Sequence, residues 1–303
     1  MNTEPSISEA VGELRTVNDM LRWAVSALNA AEVCFGHGND NAVDEALQLI
    51  RFALHLPHDL PVELYSAALT RSEREKVAAL VRQRIVTRRP AAYLTGEAWF
   101  AGLPFKVDSR VLVPRSPLAE LIEQGFEPWT DSTQVKRVLD LCTGGGCIAV
   151  ACAHYLPQAQ IDAVDLSAEA LEVALENVRR HGFEGRIRLI QGDLFQGLEA
   201  QCYDVIVSNP PYVSEAEMAE LPPEYHFEPA LGLVAGPDGL AVVRRIVMAA
   251  HKYLKENGIL VVEVGKTRAA MARAFPELAL HWLEFERGGE GVFLIHAADL
   301  PRF

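Results

Sequence analysis

At 303 residues, half of them hydrophobic, the chain suits one catalytic domain of ordinary size with a smaller companion, and it can bury a substantial core. Its 28 Lys and Arg against 41 Asp and Glu give a net charge of −13, a field that disfavours free DNA or RNA as a substrate and favours basic partners. The opening MNTEPSISEA is acidic and polar where a secretion signal is basic and then apolar, and no apolar run approaches the roughly 20 residues that span a bilayer, so a soluble protein of the cytoplasm with no membrane partner is expected.

Residues 1–92 read as helices alone. Val17, Leu21, Ala24 and Leu28, then Leu47, Ile50 and Leu54, then Val77, Leu80, Val81, Arg84 and Ile85 follow the helical period. Ser72 and Glu75 have the spacing of a capping box at the start of the third helix. Arg71, Arg74, Lys76, Arg82, Arg84, Arg88 and Arg89 lie around it; a solvated helix face is the plain interpretation and a docking face for ribosomal RNA the alternative. From Trp99 to Val113 the pattern alternates around Gly102-Leu103-Pro104, which predicts a β-hairpin, and turn residues near Glu127–Gln134 complete a linker over 93–134.

Residues 135–303 alternate strand and helix. Strands are expected at Arg137–Leu141, Gln160–Asp165, Arg186–Gln191, Asp204–Ser208, Ile259–Val264, Leu280–Glu286 and Gly291–His296, and helices near Gly146–Tyr155, Ala168–His181, Glu215–Glu220 and Leu240–Leu254. Such alternation predicts an α/β fold with a parallel sheet covered on both faces. The last two strands have only Arg287-Gly288-Gly289-Glu290 between them, so they should pair antiparallel at a sheet edge. The five cysteines, Cys34, Cys142, Cys147, Cys152 and Cys202, offer no CxxC pair and no histidine at metal spacing; they read as reduced, small apolar residues with no metal site.

The first strand runs into Asp140-Leu141-Cys142-Thr143-Gly144-Gly145-Gly146-Cys147-Ile148-Ala149, a glycine-rich turn opening a helix, where a parallel sheet places its ligand crevice. Gly144, Gly146 and Ala149 also satisfy the dinucleotide fingerprint, so a nicotinamide or flavin enzyme competes. Ligand charge separates the two readings. A dinucleotide brings a pyrophosphate to this helix N-terminus, whereas S-adenosyl-L-methionine brings a zwitterionic amino acid and a sulfonium cation, which a carboxylate at Asp140 attracts. Asp165, ending the next strand, can accept from both ribose hydroxyls; Asp193, ending the third, can accept from the adenine amino group, with Leu194 packing on the adenine face. Any one of these carboxylates alone can be a helix cap, but three at successive strand ends favour the sulfonium cofactor.

The fourth strand ends Ser208-Asn209-Pro210-Pro211-Tyr212. The prolines fix their own backbone angles and push Asn209 out of helical geometry, making a stiff loop at the carboxyl end of a central strand. An amide or aryl-amine nitrogen has a delocalised lone pair and attacks a sulfonium methyl poorly. Two acceptors, the Asn209 side-chain oxygen and the Pro210 carbonyl, correct this by taking both N–H hydrogens of the NH2 group and aiming its lone pair, while Tyr212 stacks on the planar acceptor. No titrating base is required, so His226 is read as a packed or surface histidine, and Glu263 with Gly265 as equally a crevice wall or a fold element.

Asp140–Ala149 followed by Asn209–Tyr212 resembles the methyltransferases that modify exocyclic or amide nitrogens, among them adenine-specific nucleic-acid enzymes and protein-glutamine enzymes. Arg89-Pro90-Ala91-Ala92-Tyr93-Leu94-Thr95-Gly96-Glu97, Phe100, Gly102 and Val111-Leu112-Val113-Pro114-Arg115 are similar to the bacterial protein-glutamine methyltransferases, and the likeness covers nearly the whole chain. After Pro114-Arg115 the release-factor branch continues with proline, glutamate, threonine and glutamate; here Ser116-Pro117-Leu118-Ala119-Glu120-Leu121-Ile122, then Gly125-Phe126 and Pro128-Trp129, resemble the branch that methylates a glutamine of large-subunit ribosomal protein three.

The resemblance implies a Rossmann-like class I fold with a seven-stranded, mostly parallel sheet, its last strand antiparallel, behind an N-terminal helical domain that recognises the protein substrate and a linking hairpin. It implies that Cys142, Thr143, Gly144, Gly145, Gly146, Asp165, Leu194 and Asn209 contact the cofactor, S-adenosylhomocysteine being the product. Asn209, Pro210, Pro211 and Tyr212 hold the glutamine, and Phe100 matches a family phenylalanine near the acceptor. Cys142 departs from a common glycine and Gly145 from a common serine or threonine, the former narrowing the turn's freedom. The expected partner is a basic ribosomal protein, free or in an assembly particle. The rivals are the release-factor enzyme, an adenine amino methyltransferase, and a catalytically silent ribosome-assembly factor.

Overall fold

The computed structural model describes residues 7–200 and 203–302, so Cys202 and the first six residues lie outside the described residues. Contacts divide the chain into two compact units, Met1–Glu97 with Pro222–Phe227, and Ala98–Leu221 with Glu228–Phe303.

The first unit is helical: α1 (Ile7–Glu13), α2 (Val17–Ala30), α3 (Ala42–Leu54), α4 (Arg71–Thr87) and α5 (Ala91–Thr95). Met20, Ala24 and Leu28 of α2 pack with Leu49 and Ile50 of α3 and Val77 and Val81 of α4, the stripes expected from the 3.6-residue period. The capping box at α4 lies two residues earlier than Ser72 and Glu75: Thr70 is extended, its side chain accepts the Glu73 N–H, and Glu73 accepts the Thr70 N–H at 2.7 Å. Both pairs have the same spacing, and the extended backbone at Thr70 decides which one is outside the helix; Glu75 instead pairs with Arg71 on the surface.

Arg84 is wholly buried. Its Nε donates to Glu45 Oε1 at 2.7 Å, Nη1 to Glu224 Oε1 at 3.3 Å and Nη2 to the Cys34 carbonyl at 2.8 Å. Burial pushes the Glu45 carboxyl up. At Glu224 burial acts the same way but is outweighed by the Cys34 N–H and Arg84, so that carboxyl lies below its ordinary range. Two further residues of the basic set serve internal acceptors: Arg74 donates to the Val11 and Leu69 carbonyls, and Arg88 to those of Ala31 and Glu32 beyond α2.

A hairpin follows, β1 (Glu97–Phe100) and β2 (Leu103–Lys106), belonging to the second unit from Ala98 on and turning through Ala101 and Gly102 with φ of 48° and 71°. It stops well short of Val113. The amide of Asn177 accepts the Lys106 N–H at 2.7 Å and donates to the Lys106 carbonyl at 3.0 Å, replacing the next rung of the ladder. Val111 and Val113 are still buried, which is why the sequence alternates without a strand.

The remaining elements are α6 (Leu118–Glu123), β3 (Arg137–Leu141), α7 (Cys147–Tyr155), β4 (Gln160–Asp165), α8 (Ala168–Arg180), β5 (Ile187–Gln191), β6 (Tyr203–Ser208), α9 (Glu215–Glu220), α10 (Ala230–Leu233), α11 (Ala241–Ala250), β7 (Leu254–Glu263), α12 (Arg268–Ala274), β8 (His281–Trp282) and β9 (Val292–His296). Among the described residues the sheet has seven strands in the order β5-β4-β3-β6-β7-β9-β8, with β9 antiparallel to both neighbours. β8 shrinks to two residues at the open edge, where a long strand would present unpaired backbone groups. One face packs on α7, the other on α11. Chain order reverses at β3, flanked by β4 and β6, so the carboxyl ends of these three strands share one crevice. No helix among the described residues is long and apolar enough to cross a membrane.

Removing Arg84 leaves two buried carboxylates short of their cation. Arg84→Ala is expected to cost about 3–5 kcal/mol of stability in urea unfolding at neutral pH; a loss below about 1 kcal/mol would contradict the buried ion cluster.

Candidate active site

The glycine turn after β3 is held from inside. Asp140, the penultimate residue of β3, is fully enclosed; its Oδ2 accepts from Thr143 Oγ1 at 2.5 Å and from the Ala149 N–H at 3.1 Å. Burial pushes its carboxyl up to about 7, against those two donors, which favour the charge. Its Oδ1 is buried with no hydrogen-bond partner. Asp165, at the end of β4, accepts the Gly144 N–H at 2.8 Å through Oδ2 and the Ser167 N–H at 2.9 Å through Oδ1, and burial raises its carboxyl as well. The Thr143 N–H donates to the Val164 carbonyl at 3.0 Å.

Three turn residues have positive φ: Cys142 at 61°, Gly144 at 54° and Gly146 at 78°. Gly146 opens α7 where a Cβ would meet Ala174 Cβ at 3.1 Å, whereas at Gly144 a Cβ would meet nothing within 4 Å. The backbone at Gly144 therefore borders open space beside Asp165. Cys142 takes the left-handed conformation without glycine's freedom, a strain of order 1 kcal/mol. Gly145 faces Val111, where a Cβ would make ordinary contact at 3.5 Å.

Beyond β5, Asp193 is ion-paired with Arg245 at 2.8 Å, its side chain 43% exposed. Leu194 is buried, at φ 54°, and joins the cluster containing Leu141 and Val164. Asp193, Leu194, Arg245 and Tyr253 line a cavity of about 300 Å³.

At the end of β6, Ser208 Oγ donates to the Leu141 carbonyl at 2.7 Å, tying the start of the proline loop to the end of β3. Asn209 is half-buried and Pro210 buried. The Tyr212 hydroxyl donates to Glu263 Oε1 at 2.8 Å, and its ring lies so close to Gly265 that a Cβ there would approach Cε2 at 2.7 Å. Val213 bridges to Val234, fixing the far end of the loop.

The linker closes the arrangement. Arg115 grips Glu228 with both nitrogens, at 2.6 and 2.7 Å, while the Val113 N–H donates to the same carboxylate at 3.0 Å. Ser116 Oγ donates to Glu263 Oε2 at 2.5 Å. The sequence marked Ser116 only as part of the segment after Pro114-Arg115 and Glu263 as equally a crevice wall or a fold element; neither pairing showed, since the partners lie more than a hundred positions apart. Thus the turn residues, Asp165 and Asn209 gather at three adjacent strand ends. Phe100 is placed differently: it packs edge-on against Phe105, centroids 6.4 Å apart, within the core. His226 is exposed, and among the described residues no cluster of His, Cys, Asp and Glu can hold a metal ion.

A family model described as the methyltransferase small domain matches residues 126–222. The chain is 50% identical to the ribosomal protein uL3 glutamine methyltransferase of Xanthomonas campestris pv. campestris, over 96% of this chain and 94% of that protein. It is 51% identical to the one from Bordetella pertussis, over 95% of this chain and 97% of that protein. A crystallised methyltransferase from Pyrococcus furiosus is similar at 17% identity and a TM-score of 0.48, covering 65% of this chain and 89% of that one, so the assignment rests on the sequence relatives instead. With half the residues shared across almost the full length of both relatives, the chain belongs to the family of ribosomal protein uL3 glutamine methyltransferases.

Proposed function

We propose that this chain transfers a methyl group from S-adenosyl-L-methionine to the side-chain amide nitrogen of a glutamine in ribosomal protein uL3, leaving S-adenosylhomocysteine. The observation that carries this is the stiff Asn209–Tyr212 loop, tied through Ser208 to the end of β3 where the glycine turn begins. The names of the two relatives support the substrate, and a basic ribosomal protein suits a chain of net charge −13. In this reading residues 1–92 recognise the substrate, 93–134 link, and 135–303 carry the transfer, in the cytoplasm during large-subunit assembly.

The cradle fits the cofactor. Gly144 offers uncovered backbone beside a carboxylate, and Asp140 keeps an unpartnered buried oxygen behind the turn, a negative field suited to a cation. Enclosed as it is, Asp140 acts through its charge and through the turn it shapes. Cys142, Thr143, Gly144, Gly145 and Gly146 line the amino-acid end, Asp165 takes the ribose hydroxyls, and Asp193 and Leu194 border the base. The bound cofactor supplies an electrophilic methyl on a sulfonium. The protein's part is orientation: the Asn209 side-chain oxygen and Pro210 carbonyl accept the two amide hydrogens, Pro211 stiffens the loop, and the Tyr212 ring covers the amide plane. The nitrogen loses its proton once substituted, so no residue need act as a strong base.

The test is incubation of the purified chain with labelled cofactor and total ribosomal proteins from unmodified cells. One labelled band, mapped to one glutamine of uL3, is expected; label in a release factor or in nucleic acid would overturn the assignment. Asn209→Ala should lower kcat by at least about a thousandfold while cofactor affinity changes less than about tenfold, measured by transfer assay and titration calorimetry. A catalytically silent assembly factor would show no such loss. Because the Asp140 carboxyl is raised to about 7, it is neutral below that pH and charged above it. Cofactor affinity should therefore strengthen about two- to tenfold as pH rises from roughly 6 to 8, and Asp140→Asn should flatten that profile.

A further inference from the structure

Glu263 closes β7 with 5% of its surface exposed, and both its oxygens are occupied by hydroxyl donors from separate segments: Tyr212 of the proline loop at 2.8 Å and Ser116 of the linker at 2.5 Å. Burial pushes its carboxyl up, and the two hydroxyl donors act against that by favouring the charged, acceptor-only form. Ser116 is itself fixed, since its Oγ accepts the Leu118 N–H at 3.2 Å at the start of α6. Around Tyr212 the packing leaves no slack. A Cβ at Gly239 would come within 2.2 Å of the Tyr212 carbonyl oxygen, and one at Gly265 within 2.7 Å of its ring. Gly265 is in turn held by Gly291, where a Cβ would reach its carbonyl oxygen at 2.1 Å. Backbone and one ring edge are thus bounded by close glycines, and the carboxylate fixes the position of the hydroxyl at the far end of the ring, and with it the ring's tilt.

We propose that Glu263, braced by Ser116, is a positioning residue for methyl transfer: it anchors the hydroxyl end of Tyr212 and so sets the tilt of the ring over the acceptor amide. The inference rests on the glutamine-transfer reading above and adds two residues to it. A buried acid merely filling space would be replaceable without loss specific to turnover. A hydrogen-bonded clamp is different, because it sets the angle of a group touching the substrate and so acts on kcat more than on binding.

The test is a double-variant cycle in the full chain, using labelled cofactor and purified uL3, with calorimetry for cofactor affinity and circular dichroism for folding. Glu263→Gln and Tyr212→Phe are each expected to lower kcat about tenfold, with KM for uL3 and cofactor Kd within about twofold, and the double variant is expected to be no slower than the slower single. Losses that multiply, or a Tyr212→Phe enzyme at full rate, overturn the clamp. Ser116→Ala, which removes one donor and least disturbs the fold, should cost about threefold in the native background and nothing in Tyr212→Phe; a loss that persists there also overturns it. If the unaltered chain labels no glutamine of uL3, the functional reading itself fails, whereas normal labelling with uncoupled variants rejects the clamp alone.

Discussion

Two carboxylates at neighbouring strand ends, Asp140 and Asp165, hold the backbone of one glycine turn, and the geometry of the whole crevice depends on that grip. A turn with positive φ at Cys142, Gly144 and Gly146 has few reasons to stay in one shape by itself. Here its N–H groups at Gly144 and Ala149 and its hydroxyl at Thr143 are all claimed, and Gly146 is backed against Ala174. The cost is visible at Asp140, whose burial raises its carboxyl to about 7, so at neutral pH the charge is only partly retained. A folded domain accepts such a penalty where it fixes something the apolar core cannot, in this case the direction of backbone donors.

The proline loop after β6 is held on the same plan with different chemistry. Ser208 fastens its start to β3, Val213 fastens its end to Val234, and between them Pro210 and Pro211 have almost no torsional freedom. Tyr212 is the one residue of that loop with a rotatable aromatic side chain, and it is also the one that a carboxylate reaches. Rigidity in the backbone and a hydrogen bond on the side chain are complementary means to one end, a loop whose shape is fixed in advance.

Much of this was legible in advance, for reasons that differ along the chain. β3 and β4 begin and end where apolar runs bounded by turn residues placed them, because central parallel strands are apolar on both faces and tolerate little else. At the rims the same logic failed: Leu280–Glu286 gave a strand of two residues, and the alternation through Val113 outlived the hairpin because burial, not pairing, was what it recorded. The glycine turn and the asparagine-proline loop showed in the sequence since each needs rare residue types at fixed spacing. Arg115 with Glu228 and Ser116 with Glu263 did not, since a serine or a glutamate has no periodicity to betray its partner. Only the fold brings them together.

The segment following the proline loop shows what ionic burial achieves that apolar burial does not. The chain leaves the α/β unit after Leu221, joins the helical unit through Pro222–Phe227 and returns at Glu228. Within that excursion Glu224 is buried against Arg84, Arg88 and the Cys34 N–H, and Tyr225 tilts onto His37 with centroids 4.4 Å apart. A leucine in place of Glu224 would bury as readily, and often more favourably once the desolvation of charge is counted. It would also fit any apolar gap, and a segment one residue out of register would meet little resistance. A carboxylate fits only where two guanidinium groups and an N–H converge, so every misplaced seating leaves a charge buried without partners, at a cost of several kcal/mol. Stability gained from apolar area is indifferent to register; the ion cluster is not. That difference is reason enough for charged groups to be buried in a helical unit whose apolar core includes Met20, Leu28, Leu49 and Val81.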